Sequence, residues 1–461
     1  MRDIFKWLPD IEERVTRYKR MAPVVDNMTE RTVGIPYGGE GSYGLAAAFR
    51  SAGVNAEVMT PSCDARTYYL ADSYVVTQTC EPFRIQVGDA LSWVEKKIDE
   101  GCRASAIAVF EPTASGPCRL GQYPYVMRYF LDEAGYEDVA LISPSAANDY
   151  MDMELPRAET RRVLVLGFNA MYVTDILYNA LLRIRPYEET PADGGRTAGE
   201  NVYHHAIDQM CKSLEKGGKD LPEVMDAAAT EMKRVGFDQS QRYPIALING
   251  EFFMRLHPGA NHNISKVLER DFNKPVETML APYMEWFHYV NRSRIRQALH
   301  EGDWPGVVKG FLKRLYLSHK QSVYWKPFAD LLKGREPHNP MHYVDAVEQA
   351  AKYHSDIEGE SPISIGMTYL FMENHLKPVG DAVISGMCHV GPHQCMQETV
   401  ATSVSQAMIR QHRATAKNKA DRIIPYVDIV FTDEPEPQWR PKLASFIYQC
   451  YEKRRLVLGE E

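Results

Sequence analysis

The order strand, loop, helix, strand occurs twice along this chain of 461 residues and constrains its fold more than any other feature. The first copy, from Arg31 to Pro61, contains the strand TVGIP, a glycine-rich loop, the helix LAAAFRSAG and the strand VNAEVMTP. The second copy begins at Tyr243 and contains the strand YPIALING, the helix NHNISKVLERDF and the strand PVETMLAP. Because units of this kind build parallel sheets, the pattern predicts an α/β protein.

Further strands extend both copies. ASAIAVFEP and DVALISPS follow the first copy, with a helix between them that is apolar at Tyr123, Val126, Met127, Phe130 and Leu131. The last quarter contains the strand DAVISGM, the loop CHVGPHQ, a helix from Cys395 to about Arg410 and the strand RIIPYVDIVF.

These elements predict two similar doubly wound, Rossmann-like (flavodoxin-like) lobes with helical insertions. The first lobe is expected over residues 1–150, a helical linking region over 151–242, and the second lobe over 243–461, with a helical insertion at about 285–360. The alternative is that the two lobes resemble each other only because α/β units are common.

The charge and hydropathy of the chain restrict its partners. A formal net charge of -8 and a pI near 6.0 argue against nucleic-acid binding, which normally needs a basic face. No apolar stretch in the sequence is expected to span a membrane, and the first residues do not resemble a secretion signal. The sequence therefore predicts a cytoplasmic protein without a membrane partner.

Three of the eight cysteines share one local setting. Cys80 precedes Glu-Pro and an apolar-striped helix, Cys118 follows Gly-Pro, and Cys395 follows a Gly-Pro two residues earlier and precedes a helix. Each thiol should stand at a helix N-terminus, where unpaired amides and the positive dipole end lower the pKa of a thiol and stabilise a thiolate or a thiolate-bound cluster.

Two other interpretations of the cysteines stay open. A cysteine is commonly a small buried hydrophobe, and Cys211, Cys450 and Cys102 are interpreted as core or surface thiols, while Cys63 is undecided. Structural zinc normally requires close cysteine pairs, although Cys388 and Cys395, with two histidines between them, form a compact candidate.

At these cysteines the sequence resembles the 2-hydroxyacyl-CoA dehydratase subunits, the double-cubane cluster proteins and the related domains fused to acyl-CoA dehydratase activases. The resemblance lies in the segments TVGIPYGG, TCEPFRIQVGD, SGPCRLGQYPYVMRYFLDEAGYEDVALIS, NGEFFMRLHPGANHNISKVLE and VGPHQCMQETVAT, of which the GPCRLGQY and GPHQCM blocks are the most specific. It implies that Cys80, Cys118 and Cys395 hold a [4Fe-4S] cluster in the cleft between the lobes. An [8Fe-9S] double-cubane cluster is the alternative, and it would need about six cysteines near one cleft.

The resemblance also implies a source of electrons. The chain has no phosphate loop of the G-x-x-x-x-G-K kind, and GIPYGGEGSYG lacks the spacing of a dinucleotide loop. ATP hydrolysis is therefore expected on a separate activase that carries its own iron–sulfur cluster and delivers electrons at low potential. The chain itself is expected to form a homodimer, or a heterodimer with a homologous subunit.

Several residues are candidates for the surroundings of the cluster: Arg119, Gln122 and Tyr123 after Cys118, Arg255 with Glu251 as its ion-pair partner, and Cys388. Three functions remain open. The chain is an enzyme subunit with lyase or oxidoreductase chemistry, such as a dehydratase or a double-cubane reductase of small molecules; a non-catalytic electron carrier or scaffold; or a ligand-binding protein with incidental cysteines.

Overall fold

The structure is a computed structural model that describes residues 28–75, 79–114, 116–145, 150–191, 194–236, 242–354, 356–373, 376, 378–380, 382–434 and 437–459. The chain forms two compact units. Within the described residues, the first comprises the chain up to Tyr37, Phe49–Thr79 and Phe83–Leu164, and the second comprises Gly38–Ala48, Cys80–Pro82 and Val165–Glu461.

The first unit contains a parallel sheet of four strands in the order β2-β1-β3-β4. The strands are β1 (Thr32–Ile35), β2 (Asn55–Val58), β3 (Ile107–Phe110) and β4 (Ala140–Ile142). All four residues of β3 are apolar and buried, as expected for an inner strand that is covered on both faces by helices. The register places Val33 opposite both Ala56 and Ala108, so β1 and β3 form the centre of the sheet.

Four helices connect or follow these strands: α1 (Gly41–Ser51), α2 (Ala65–Tyr74), α3 (Glu81–Asp99) and α4 (Tyr123–Glu133). Asp64 begins α2 with a capping box, because its side chain accepts from the amide of Thr67 and the Thr67 hydroxyl accepts from the amide of Asp64. Phe49 of α1 packs edge-on against Phe110 at a centroid distance of 5.5 Å, which places α1 on one face of the sheet.

The second unit contains another parallel sheet, in the order β6-β5-β7-β8. Its strands are β5 (Ile245–Gly250), β6 (Glu277–Leu280), β7 (Ile384–Pro392) and β8 (Tyr426–Phe431). The sequence predicted a loop from Cys388, but β7 continues through nine buried residues to Pro392. It does so because it pairs with β5 on one side and with β8 on the other.

Helices make up the rest of this unit. They are α5 (Arg157–Ile184), α6 (Ala198–Glu215), α7 (Leu221–Arg234), α8 (Phe252–Leu256), α9 (Ile264–Arg270), α10 (Met284–Glu301), α11 (Trp304–Trp325), α12 (Pro340–Gln349), α13 (Ser361–Met372), α14 (Met396–Thr415), α15 (Lys419–Arg422) and α16 (Trp439–Leu458). A large apolar core lies between the sheet and α10, α12, α13 and α14, with Tyr343, Ile365 and Met387 at its centre.

One helix is more apolar than expected, since no stretch of the sequence was expected to be able to span a membrane. Among the described residues, Arg157–Tyr187 is long and apolar enough to cross a membrane by length and composition alone. In its most apolar stretch of 18 residues, 67% is buried inside the protein, and such burial is also typical of a core helix.

The two sheets have the same topology. In each sheet, the second strand along the chain lies at one edge and pairs with the first strand. The third strand pairs with the other side of the first strand, and the fourth strand forms the opposite edge. The expected α/β fold with two similar parallel sheets is confirmed. The similar segments MTP and MLAP lie at corresponding places, because MTP directly follows the edge strand β2 and MLAP begins within the last residues of the edge strand β6.

Candidate functional site

The carboxyl ends of β5 and β7 define the candidate site of the second unit. Strand order reverses between these two neighbours, and ligands of open α/β sheets bind at such switch points. Gly250 ends β5 with a φ of 118°, and a Cβ atom there would lie 1.9 Å from the carbonyl oxygen of Val390. Only glycine allows the two strand ends to approach this closely.

Cys395 lies in a tight turn after β7. Its amide donates to the carbonyl of Pro392 at 3.2 Å, and the residue before it, Gln394, has a left-handed φ of 62°. Cys395 is the N-terminal cap of the 20-residue helix α14 and is buried. A non-glycine residue in left-handed conformation next to a buried thiol is the kind of local strain that clusters at functional sites.

Cys80 contacts the same turn. It directly precedes α3, and with Glu81 and Pro82 it belongs to the second unit. Its thiol donates to the carbonyl oxygen of Gln394 at 3.5 Å, and the Glu81 amide lies 3.4 Å from the carbonyl oxygen of His393. Two of the three predicted cluster ligands are therefore brought to one turn, although they are 315 positions apart in the sequence.

Carboxyl groups crowd around Cys395. Burial raises the pKa of its thiol, and the charges of Glu360, Glu398 and Glu251 raise it further. The expectation that the helix N-terminus would lower this pKa is wrong, because desolvation and three nearby acids outweigh the dipole. A bound metal reverses this balance, since a coordinating thiol is deprotonated outright.

The acids themselves are kept partly neutral. Burial raises the pKa of Glu251 to about 7, even though its carboxylate accepts hydrogen bonds from the amides of Phe253 and Met254 at 3.0 and 2.8 Å. Burial, Glu251 and Glu398 together raise the pKa of Glu360 well above its usual value. The site can therefore hold protons near Cys395 at neutral pH.

His389 is enclosed between two carboxylates. Its Nε2 lies 2.5 Å from Glu398 and its Nδ1 lies 3.0 Å from Asp428. Burial alone would lower the pKa of this imidazole, but the two carboxylates outweigh burial and raise the pKa to about 9. At neutral pH His389 is thus a buried cation that fixes the side chain of Glu398.

Arg255 makes a different ion pair from the expected one. Its Nη2 lies 2.7 Å from Glu285, whose other oxygen accepts from the Tyr343 hydroxyl at 2.6 Å, whereas Glu251 caps α8 instead. The Nε and Nη1 of Arg255 are buried and have no hydrogen-bond partner among the described residues. The Phe252 ring lies 4.5 Å from this guanidinium, so the described residues give Arg255 an aromatic contact but no acceptor for these two donors.

Cys118 lies in the first unit, after β3. It caps a short 3₁₀ turn, and its sulfur accepts from the amide of Leu120 at 3.5 Å. Arg119 and Gln122 are exposed, whereas Tyr123 is buried and packs against Phe83 at a centroid distance of 4.4 Å. Of these three neighbours, Tyr123 thus contributes to the core, while the other two face solvent.

Glu111 is a buried acid at the end of β3. Its side chain is fully buried, and neither carboxylate oxygen has a hydrogen-bond partner in the part of the chain that the structure describes. Burial raises its pKa to about 8. Glu111 stands at the carboxyl end of a strand next to the switch point between β1 and β3, where a stability-driven sequence would place an apolar residue.

The remaining cysteines lie elsewhere. Cys388 is fully buried on β7 and close to Cys450 of α16, and burial raises the pKa of both thiols. Cys63, Cys102 and Cys211 are partly exposed. Cys63 also has a left-handed φ of 56°. Among the described residues, no three His, Cys, Asp or Glu side chains converge closely enough to hold a single metal ion.

Sequence reasoning missed Glu360, Glu398 and Asp428, and it considered His389 only as one of the two histidines of the compact zinc candidate. One signal was present for Glu360, because Glu360-Ser361-Pro362 begins α13 just as Cys80-Glu81-Pro82 begins α3. Both helices precede the third strand of their sheet, so the two segments occupy equivalent places in the fold. The contacts of His389 depend on β7 continuing past Cys388, and this could not be read from the pattern.

The chain was also compared with known proteins. No family model matches it, no curated protein matches it, and no solved structure matches it.

Proposed function

We propose that this chain is the iron–sulfur component of an ATP-dependent, low-potential reductase or 2-hydroxyacyl-CoA dehydratase-like system in the cytoplasm. Cys80, Cys118 and Cys395 would hold a [4Fe-4S] cluster. When bound, the cluster would supply one-electron chemistry at low potential.

The observation that carries the proposal is the contact of Cys80 with the turn before Cys395. Two thiols from distant parts of the sequence lie on either side of one strained residue, Gln394, at the switch point of a parallel sheet. A fold gains nothing from this arrangement by packing alone, since a left-handed glutamine costs energy. A ligand bound by both sulfurs would account for the strained conformation of Gln394.

The residues around Cys395 fit a cluster by charge and hydrogen bonding. Burial raises the pKa of Glu251 and Glu360, which limits the negative charge beside a thiolate-bound cluster that is itself an anion. The two unpaired donors of Arg255 would hydrogen-bond a cluster sulfur or a substrate.

The chain's own residues would perform three tasks. The buried turn would exclude water from the cluster, His389 would hold Glu398 in one orientation, and Glu251 or Glu360 would keep a proton near the reacting centre. Electrons would come from a separate activase with its own cluster, because the sequence contains no recognisable phosphate loop. The functional assembly would be a homodimer, or a heterodimer with a homologous chain.

Anaerobic purification followed by iron and acid-labile sulfide analysis tests the cluster. About four irons and four sulfides per chain, with a brown colour that bleaches in air, are expected for a single cubane. About eight irons would indicate the double-cubane alternative. A colourless or zinc-loaded protein would overturn the proposal.

A second measurement tests the function. With reduced activase and ATP, the cluster signal should change and a suitable 2-hydroxyacyl-CoA or small-molecule acceptor should turn over. Reduction of the cluster without any turnover would favour an electron-transfer or scaffold subunit. Failure of reduction would separate the cluster assignment from the activase partnership, since iron content is measured independently.

A further inference from the structure

Helix α11 packs on the protein with only one side. Gly310 approaches α10 so closely that a Cβ atom there would lie 2.4 Å from Ile295, and Asn291 of α10 donates to the Gly310 carbonyl at 2.9 Å. Leu317 and Tyr324, seven and fourteen positions later, are buried on the same side. This spacing identifies one face of α11 as the packed face.

The opposite face of α11 is apolar and exposed. Six large apolar side chains lie within an arc of about 140° on the helical wheel, roughly opposite the packed face. They are Trp304, Val308, Phe311, Leu312, Leu315 and Tyr316, which are 37–68% exposed. Trp304, Val308, Phe311 and Leu315 follow one another at spacings of four, three and four residues, so they form a continuous stripe. We call these six residues the α11 apolar face.

The flanks of this face are basic. The sequence contains no Asp or Glu from Trp304 to Ala329, whereas the helix itself carries Lys309, Lys313, Arg314 and Lys320. Burial lowers the pKa of Lys313 to about 8, and the nearby charges of Arg294 and Lys309 lower it further. Cations are thus crowded against one another on a chain whose net charge is -8.

We propose that the α11 apolar face and its basic flanks bind the surface of an anionic lipid bilayer. A helix with Trp, Phe and Leu on one face and Lys and Arg beside it is the form that lies in the plane of a membrane interface. The bilayer requires apolar area and flanking cations but no specific hydrogen-bond partners, and the six side chains supply only two polar atoms, both on aromatic rings.

A second copy of the chain fits this face less well. An antiparallel pair of α11 helices would be centred near Gly310, so Lys309 of one copy would lie beside Lys309 of the other. Like charges at such a seam are destabilising, and no acid in the helix is available to offset them. Anionic headgroups, in contrast, attract each of these cations. The proposal thus departs from the expectation of no membrane partner, which was based on the lack of an apolar stretch that could span a membrane.

Vesicle flotation tests the proposal with the full-length, cluster-loaded protein. We expect binding to vesicles of phosphatidylcholine with 30% phosphatidylglycerol, and at least about tenfold weaker binding to pure phosphatidylcholine. Replacement of Phe311 and Leu315 by Ser should abolish binding, because it removes the centre of the apolar face. Replacement of Arg314 by Gln should weaken binding roughly fivefold and reduce its salt dependence.

The matched control is Tyr69→Ser, which removes an aromatic ring that is 65% exposed in the first unit, outside the α11 apolar face. It should bind vesicles like the unchanged protein. Circular dichroism and iron content should be unchanged in all variants, since the replaced side chains are exposed.

Three results would overturn the proposal. One is absence of binding to anionic vesicles, and another is binding that survives the Phe311/Leu315 replacement. The third is a dimer, measured by sedimentation equilibrium, that the same double replacement converts to monomer while vesicle binding is absent, because this would assign the face to a second copy. None of these outcomes depends on whether the iron–sulfur assignment is correct.

Discussion

The two units have the same strand order, but buried acids near their strand ends differ in whether they have a partner. In the second unit, His389, Glu398 and Asp428 satisfy one another, and Arg255, Glu285 and Tyr343 form another connected group. In the first unit, Glu111 is equally buried at a strand end but has no partner among the described residues. One topology can therefore hold either a closed polar network or a single unpaired acid.

The two sheets also differ at the helix that precedes their third strand. Cys80, itself part of the second unit, directly precedes α3, which leads to β3 of the first sheet. Glu360 is the cap of α13, which leads to β7 of the second sheet. Both sites lie at a helix N-terminus, where an anion is stabilised. The same position thus supplies a soft sulfur ligand in one copy and a carboxyl group in the other, which explains how similar folds can contribute unequally to one site.

Removal of a proposed ligand should have the largest effect. Replacing Cys80, Cys118 or Cys395 by Ser should lower the iron content from about four per chain to below about one, because two thiolates retain a cubane poorly. Iron and sulfide analysis of anaerobically purified variants measures this. The control is Cys211→Ala, which should keep its iron. If Glu360 were the true ligand in place of Cys80, Cys80→Ser would keep its iron and Glu360→Gln would lose it.

Breaking the Arg255 pair should come next. Arg255→Met leaves Glu285 charged and buried, with only the Tyr343 hydroxyl as a partner, so the free energy of unfolding should fall by about 3–5 kcal/mol. Urea unfolding measures the loss. The exposed pair of Arg440 and Asp271 is the matched control, because Arg440→Met should change stability by less than about 1 kcal/mol. Equal losses in both variants would show that the second unit does not depend on its closed network.

His389 should make stability depend on pH. Its folded pKa of about 9 lies above its ordinary value of 6.5, so its contribution is complete below pH 6.5 and is lost as pH rises through 9. His389→Gln should therefore cost about 3 kcal/mol at pH 6, and this cost should shrink towards pH 9. Urea unfolding at pH 6, 7.5 and 9 measures it, and a cost independent of pH would mean that His389 is neutral in the folded protein.

Replacement of Glu111 should raise the free energy of unfolding, whereas replacement of His389 should lower it. Because burial raises its pKa to about 8, folding keeps the group neutral, and its stability contribution is lost as pH rises from 4.5 through 8. Glu111→Met should stabilise the protein by about 1–3 kcal/mol, more at pH 8 than at pH 5. Thermal unfolding at the two pH values checks this. A stabilised variant that has lost turnover but kept its iron would identify Glu111 as a functional acid, whereas destabilisation would show that the acid has a partner.

The sequence predicted the sheets well and the site only in part. Strands such as Ile107–Phe110 and Ile245–Gly250 are continuous apolar runs, so their pattern was sufficient. The meeting of Cys80 with Gln394 is a contact over 314 positions, and local periodicity contains no information about it. The partner of Arg255 was wrong for the same reason, because Glu285 lies on α10, thirty positions away, while Glu251 is needed as a cap.

The smallest expected effect concerns Cys388. It lies one residue before His389 on β7, so its side chain points to the opposite face of the sheet, where Cys450 of α16 lies close by. Cys388→Ala should therefore keep about four irons per chain and cost about 1 kcal/mol of stability, since it removes one buried sulfur from the core. Cys450→Ala is the matched control and should behave alike in both measurements. Loss of iron in Cys388→Ala alone would mean that the cluster extends beyond the three proposed thiolates, and it would favour the double-cubane alternative over a single cubane.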